Sequence, residues 1–392
     1  MSSLNFIKRL LDGVEVEWKS LGEVATITIG EFVHKNHQDP LAKYPVYNGG
    51  TSPTGYYDKY NNTGNKIIIS ARGANAGFVN RLSKPYWAGN SCYSIGIKEA
   101  AELNWAFVFY FLKNSENKLI GHQQKGGIPA VSKKQIEEFQ IPIPPLNLQA
   151  IIVRILDNIV ELTAELTAEL TARKKQYAFY RDQLLTFEEG EVEWKTLGEV
   201  GIFSRGNGLQ KSDFVESGIG CIHYGQIYTY YGIFAYQTKS FVSPALAPKL
   251  RKARKTDLII VTTSENIEDV CKPLAWLGED EICVSGETYI FKHKQNPKYL
   301  AYYLETPMFF DFKKRSHTGT KVIRVHGDKL AEFKIPLLSL EEQARIVEIL
   351  DKFYALANST TEGLPREIEL RQRQYEYYRN VLLNFPKSEV EA

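Results

Sequence analysis

The sequence predicts an α+β protein in which two β-rich domains are separated by two long antiparallel helices that form a coiled coil, as an internal pseudo-twofold repeat in circular order. Three observations predict this. Three landmarks recur in the same order, the interiors between them diverge, and a helix-period apolar pattern follows each interior. The division expected is a first domain over 1–146 with an N-terminal helical stub, a long helix over 147–187, a second domain over 188–340, and a second long helix over 341–392 kinked near 363–365.

The first landmark is Glu15-Val16-Glu17-Trp18-Lys19-Ser20-Leu21-Gly22-Glu23-Val24. It returns from Glu191 to Val200 with nine of ten residues identical. The second pairs Phe139-Gln140-Ile141-Pro142 and Gln149 to Asp157 with Phe333-Lys334-Ile335-Pro336 and Gln343 to Asp351. The third pairs Arg173 to Tyr177, Tyr180-Arg181 and Leu184-Leu185 with Arg371 to Tyr375, Tyr378-Arg379 and Leu382-Leu383. The spacing grows from 176 residues (Glu15 to Glu191) to 194 (Gln149 to Gln343) and 198 (Arg173 to Arg371), so the second copy carries insertions. Constant edges around divergent interiors, about 25–138 and 201–332, suggest one frame bearing two different recognition surfaces. Residues Phe6 to Gly13 precede the first landmark much as Arg181 to Gly190 precede the second, which suggests circular closure with neighbouring ends.

Within the interiors, Lys66–Ser70 and Leu258–Val261 are short β-branched runs, and further strands are expected near Cys92–Ile97 and Glu287–Phe291. Helices are expected around Trp105–Leu112 and Pro297–Glu305. After the stiff lead-in Ile141-Pro142-Ile143-Pro144-Pro145, no Gly or Pro occurs from Leu148 to Leu185. A seam at Ile155, Ile159, Leu162, Leu166, Leu170, Arg173, Tyr177, Tyr180 and Leu184 predicts a helix of roughly 57 Å. The second copy repeats it at Ile346, Ile349, Phe353, Leu356, Ile368, Tyr375, Tyr378 and Leu382, interrupted by Gly363-Leu364-Pro365. Inside the first helix Glu161-Leu162-Thr163-Ala164 repeats at Glu165–Ala168 and Glu169–Ala172. Each step adds about 6 Å, as a spacer of adjustable length would.

Composition narrows the class. Formal net charge is +2, so binding to a polyanion needs a local patch. Cys92, Cys221, Cys271 and Cys283 show no metal or disulfide spacing, which points to a reducing cytoplasm. No apolar run approaches the ~20 residues of a membrane span. The sequence contains no phosphate-binding loop, no His-Glu-x-x-His, no three-glycine dinucleotide fingerprint and no Asn/Asp-Pro-Pro-aromatic motif of adenine methyltransferases.

Over essentially its whole length the chain resembles the specificity subunits of type I restriction–modification systems. The resemblance rests on the duplicated Ile-Pro-x-Pro-Pro-Leu and Gln-x-x-Ile-x-x-x-Leu-Asp signature at 141–157, the Arg-Lys-Lys-Gln-Tyr signature at 173–185, and the Leu-Thr-Ala-Glu spacer. The second copy departs from it, with Ile335-Pro336-Leu337-Leu338 lacking the later prolines. The resemblance implies a non-catalytic subunit with two target recognition domains, each reading half of a bipartite site in double-stranded DNA, with helices that measure the gap. It implies two modification (methyltransferase) subunits that methylate adenine N6, and restriction subunits that make an ATP-dependent nuclease and translocase. S-adenosylmethionine, ATP and Mg would be bound by those partners and no cofactor by this chain.

DNA recognition needs cations for phosphates and planar polar groups for base edges. The densest basic cluster is Lys249, Arg251, Lys252, Arg254 and Lys255, a candidate phosphate strip that equally suits a solvated turn. Asn48, Arg72 and Asn75 lie in polar loops at strand ends, with Thr263 and Ser264 as counterparts in the second copy. The loops carrying His122, Gln123 and Lys125, and His317, Thr320 and Lys321, precede the two Phe-x-Ile-Pro landmarks at similar distances and are the best base-readout candidates. Tyr224, Tyr228, Tyr230 and Tyr231 are expected to fill core or stack locally. The Arg173-Lys174-Lys175 and Arg371-Gln372-Arg373 clusters suit phosphate, a modification subunit, or plain solvent. Two other readings stay open: the recognition part of a fused restriction–methylation enzyme, and a two-fold scaffold that does not touch DNA.

Overall fold

The computed structural model describes residues 13, 16–121, 128–188, 190–359 and 363–385; the expected N-terminal stub lies outside them. The chain divides into two compact units. One comprises the described residues of Met1–Glu165 and Glu369–Ala392, the other Leu166–Ile368.

The first unit is built on Lys66–Ser70, whose Ile67, Ile68 and Ile69 are all buried. A strand covered on both faces needs no polar alternation, and it lies inside its sheet between Cys92–Ile97 and Val79–Leu82. Ala25–Ile29 completes this antiparallel sheet, and a three-stranded sheet holds Gly55–Tyr57, Tyr44–Tyr47 and Trp87–Ala88. In the second unit Leu258–Val261 is likewise wholly buried, between Thr288–His293 and Pro273–Trp276. Its second sheet has five strands where the first unit has three, so the longer interior has gone into a wider sheet.

The landmarks form the frame around each interior. Glu17–Ser20 pairs antiparallel with Gln140–Ile143, and Glu193–Thr196 pairs with Lys334–Leu337 in the same register. A capping box then turns each first strand into a short helix, Ser20 with Glu23 and Thr196 with Glu199. The second landmark supplies two clamps per unit. The fully buried Gln149 donates to the Pro144 and Glu102 carbonyls at 2.7 and 3.0 Å and accepts from Asn104 N at 2.8 Å. Gln343, equally buried, donates to the Leu338 carbonyl at 3.0 Å and accepts from Asn296 N at 2.9 Å. Asn104 and Asn296 are themselves the N-caps of Trp105–Asn114 and Pro297–Tyr303, so each glutamine ties the long helix to the domain helix. Two turns further on, Asp157 accepts from Tyr110 and Arg81, both at 2.6 Å. Asp351 accepts from Tyr302 and Lys298, both at 2.8 Å.

The first long helix runs unbroken over Leu146–Leu184, 39 residues, and the boundary between the units falls within it. In the second copy Leu340–Asn358 and Leu364–Leu382 are separate helices. Gly363 has φ +80°, which breaks the helical backbone, and Pro365 falls in the first turn of the new helix, where its missing N–H costs nothing. The third landmark packs within each unit. In the second, Tyr180 stacks on Phe353 with ring centroids 4.9 Å apart, and Tyr177 meets Tyr354 at 5.9 Å, so the end of the first long helix lies against Leu340–Asn358. In the first, Tyr375, Tyr378, Val381, Leu382, Leu383 and Phe385 join the core of the N-terminal domain, with Phe385 against Phe107.

The seam differs from expectation in detail. Ile152 and Leu156, rather than Ile155, are fully buried, and Leu162 is 36 % exposed. Leu356 is 38 % exposed whereas the neighbouring Ala357 is fully buried. A helix that packs on its domain as well as on another helix needs a broader apolar face than a two-position coiled-coil seam.

His293 adds a pH dependence. Its Nδ1 accepts from Gln295 N at 3.2 Å, its Nε2 is buried without a partner among the described residues, and burial pushes its pKa down to about 4. The folded state therefore holds the neutral ring while the unfolded chain takes a proton near pH 6.5. Stability is complete above about 6.5 and falls as pH drops towards 4. Urea unfolding at pH 7 and pH 4.5 is expected to show a loss, of order 2 kcal/mol, that His293→Phe removes.

Candidate nucleic-acid interface

In the first unit the chain leaves the central strand at Ala71–Arg72. Ala71 N donates to Ser91 O at 2.8 Å, and Val131 N to Ala71 O at 2.9 Å. Arg72 forms an antiparallel bridge with Ala130, and Gly73 N reaches Pro129 O at 2.8 Å. Pro129, Ala130 and Val131 thus lie beside Arg72, and the candidates His122, Gln123 and Lys125 lie outside the described residues. Asn48 converges on the same place, since its Oδ1 accepts from Ser91 N at 3.2 Å. A Cβ on the adjacent Gly49 would lie 3.1 Å from both Arg72 O and Ser91 O. Arg72 and Asn75 are exposed, and Arg72 has no ion pair among the described residues.

The second unit repeats this backbone pattern with other side chains. Thr262 N donates to Glu287 O at 3.0 Å and Val325 N to Thr262 O at 3.1 Å. Thr263 pairs with Arg324 and Ser264 with Ile323. These bonds place Thr263 where the first unit has Arg72, Arg324 where it has Ala130, and Glu287 where it has Ser91. The same cross-strand pair carries one arginine in each unit, from opposite strands.

The loop with His317, Thr320 and Lys321 is closed at its base by paired bonds between Thr318 and Arg324, at 2.8 and 2.9 Å. His317 Nδ1 lies 2.9 Å from Lys314 O, and Thr320 and Lys321 are exposed. Structure therefore brings Thr263, Ser264 and this loop together. It adds residues that the sequence reading missed: Arg205, Glu287 and Arg324. Aligning the polar segments after the two buried strands would have pointed to the Arg324 strand only if the opposite strand had also been known.

The basic cluster is more neutral than its sequence suggests. Lys252 lies 3.7 Å from Glu281, Arg254 binds Glu281, and Lys255 binds Glu279. The bond from Arg254 holds the Glu281 carboxyl below the usual carboxylate range. Lys249 and Arg251 are exposed without an acidic partner among the described residues. Asn207 fixes their backbone by donating to Lys249 O at 2.9 Å and accepting from Arg251 N at 2.6 Å. Tyr224 and Tyr228 pack on the core, and Tyr228 donates to Thr263 O at 2.6 Å. Tyr230 is half exposed, with Lys239 Nζ 4.4 Å from its ring centre. Arg173 pairs with Glu169 and Arg373 with Glu369, while Lys174 and Lys175 are exposed. Among the described residues no group of three His, Cys, Asp or Glu side chains is placed to hold a metal, and no helix is long and apolar enough to cross a membrane.

A family model described as "Type I restriction modification DNA specificity domain" matches residues 13–173 and 255–370. The chain is 33% identical over 420 residues to the Escherichia coli type I restriction enzyme EcoR124I/EcoR124II specificity subunit, covering 100% of this chain and 99% of that protein. It is 32% identical over 415 residues to the putative specificity subunit S.HindORF215P of Haemophilus influenzae, covering 97% and 98%. The fold is similar to the crystal structure of a type I restriction–modification S subunit from M. genitalium, with TM-score 0.65, 18% identity, and 96% and 97% of the two chains covered. A frame whose repeated landmarks are all structural, two divergent interiors and these matches together show that the chain belongs to the family of type I restriction–modification DNA specificity subunits.

Proposed function

We propose that this chain is the non-catalytic subunit that reads DNA for a type I restriction–modification complex, each interior reading one half of a bipartite duplex site. The helices set the gap. Two modification subunits, carrying S-adenosylmethionine, methylate adenine N6 at the chosen site, and restriction subunits use ATP and Mg to cleave, all in the cytoplasm. The carrying observation is the pair of equivalent cross-strand positions, Arg72 with Ala130 and Thr263 with Arg324, which put one arginine on the equivalent strand pair of each domain. Around it, Asn48, Arg72 and Asn75 would serve one half-site, and Thr263, Ser264, His317, Thr320 and Lys321 the other. Lys249 and Arg251 suit phosphate, because each is an exposed cation with no ion pair among the described residues. His122, Gln123 and Lys125 remain readout candidates on sequence grounds.

The test is selection from random duplexes by the full chain with a methyltransferase partner. A split consensus with a fixed gap is expected. Methylation by the chain alone would favour a fused-enzyme reading, and no sequence-selective binding with the partner present would favour a scaffold.

A further inference from the structure

Arg324 is a half-exposed cation of the second unit whose backbone and side chain are both held. Its backbone is paired on both sides, with Thr263 across one strand pair and with Thr318 across the other. Its side chain is fixed as well: Nε donates to Thr263 Oγ1 at 3.2 Å and Nη2 to Glu287 Oε2 at 3.1 Å. Thr263 Oγ1 itself donates to Glu287 Oε2 at 2.6 Å, and the Tyr228 hydroxyl anchors the Thr263 carbonyl. On its other side Glu287 lies 3.5 Å from Arg205, whose Nε is held by Gly286 O at 2.9 Å. The Arg324 side chain remains 39 % exposed.

A guanidinium carries its five N–H groups on two usable edges. In Arg324 the edge containing Nε is occupied by Thr263 and Glu287. The edge formed by Nη1 and the second hydrogen of Nη2 makes no bond among the described residues. That free edge matches the O6 and N7 acceptors of guanine in the major groove. Glu287 also disfavours a phosphate at this place, because a carboxylate this close repels a full anionic charge more strongly than the partial charges of a base edge. Burial pushes the Glu287 carboxyl up, but the Thr263 hydroxyl and the two guanidiniums outweigh it and hold it below its usual range, so it is ionised at neutral pH.

We propose that Arg324 is a specificity-determining residue that reads a guanine in the half-site of the second domain, with Glu287 and Thr263 as the residues that position it. The first unit lacks this device, since Ala130 and Ser91 stand at the places of Arg324 and Glu287 and Arg72 projects from the opposite strand. The two half-sites are therefore read by different means from the same backbone position. This inference rests on the function proposed above and deepens it.

The experiment compares wild type, Arg324→Lys, Arg324→Ala and Glu287→Gln as full chains in complex with a methyltransferase subunit. Selected random duplexes and binding at several salt concentrations are measured, after thermal unfolding shows the variants folded. Arg324→Lys keeps the charge and loses the fork, so a guanine preference at one position of one half-site is expected to fall about 10- to 100-fold. The other half-site stays as it was, and affinity for random duplex changes little. Glu287→Gln is expected to relax the same position while steepening the salt dependence, because a repulsive carboxylate is gone. If Arg324→Lys leaves the selected bases unchanged, or if Arg324→Ala weakens all duplexes alike and lowers the salt slope by about one, the guanine assignment is overturned. If wild type selects no split site at all, the failure lies with the proposed function itself.

Discussion

Gln343→Leu is expected to destabilise the second unit by about 2–4 kcal/mol, and Gln149→Leu to do the same to the first, without altering any recognised base. Each glutamine is fully buried and bonded at both ends of its amide. Leucine has about the right volume but cannot accept from the N-cap amide of Asn296 or Asn104, nor donate to the Leu338 or Pro144 carbonyl. A buried donor left without an acceptor loses its hydration with nothing in return, which costs more than the net worth of one ordinary hydrogen bond. The lost bonds also join two helices, so the loss extends to how Leu340–Asn358 docks on Pro297–Tyr303. Urea unfolding of the full chain measures the change. A loss below about 0.5 kcal/mol in either variant would mean that the repeated Gln-x-x-Ile signature does not act as the clamp described here.

Deleting Glu165–Ala168 is expected to shorten the permitted gap between half-sites while their base identities stay fixed. The stretch 161–172 is helical throughout, and only Thr163, Leu166 and Leu170 are half-buried. After the deletion Leu170 takes the helix position of Leu166, so the exposed and half-buried pattern survives. Thr163 and Thr171 bond back to the carbonyls four residues earlier, at 2.7 and 2.9 Å, which keeps these residues compatible with an uninterrupted helix. Four residues remove about 6 Å of rise and about 40° of rotation. The rise corresponds to nearly two base steps and the rotation to about one, so a gap shorter by about one or two base pairs is expected. Selected duplexes give the gap directly, and an unchanged gap in the deletion variant would rule out the spacer role.

The buried strands were legible because a continuous β-branched run has few alternatives. Lys66–Ser70, Leu258–Val261 and Cys92–Ile97 fold over the residues their sequences indicate. The long helix was legible from its apolar period and its freedom from Gly and Pro. The seam was less so, because Leu156 and Leu162 look alike in sequence while one is buried against a domain and the other faces water. The charge balance of the basic cluster was less legible for a related reason. Glu279 and Glu281, the partners of Arg254 and Lys255, come from a segment more than twenty residues away, brought close by the pairing of Lys252–Ala253 with Ile282–Val284.

Sequence by itself determined that the chain is one frame written twice around two unlike interiors, since identity at a fixed order of landmarks survives without any knowledge of contacts. Tertiary structure decided what each landmark is for. Gln149 and Gln343, buried, and Asp157 and Asp351, half-buried, are hydrogen-bonding clamps, and only the folded chain shows what they hold. It also decided where the candidate readers lie. Arg324 and Glu287 are 37 residues apart in sequence, and a hydrogen bond formed across strands depends on register, which local composition does not encode.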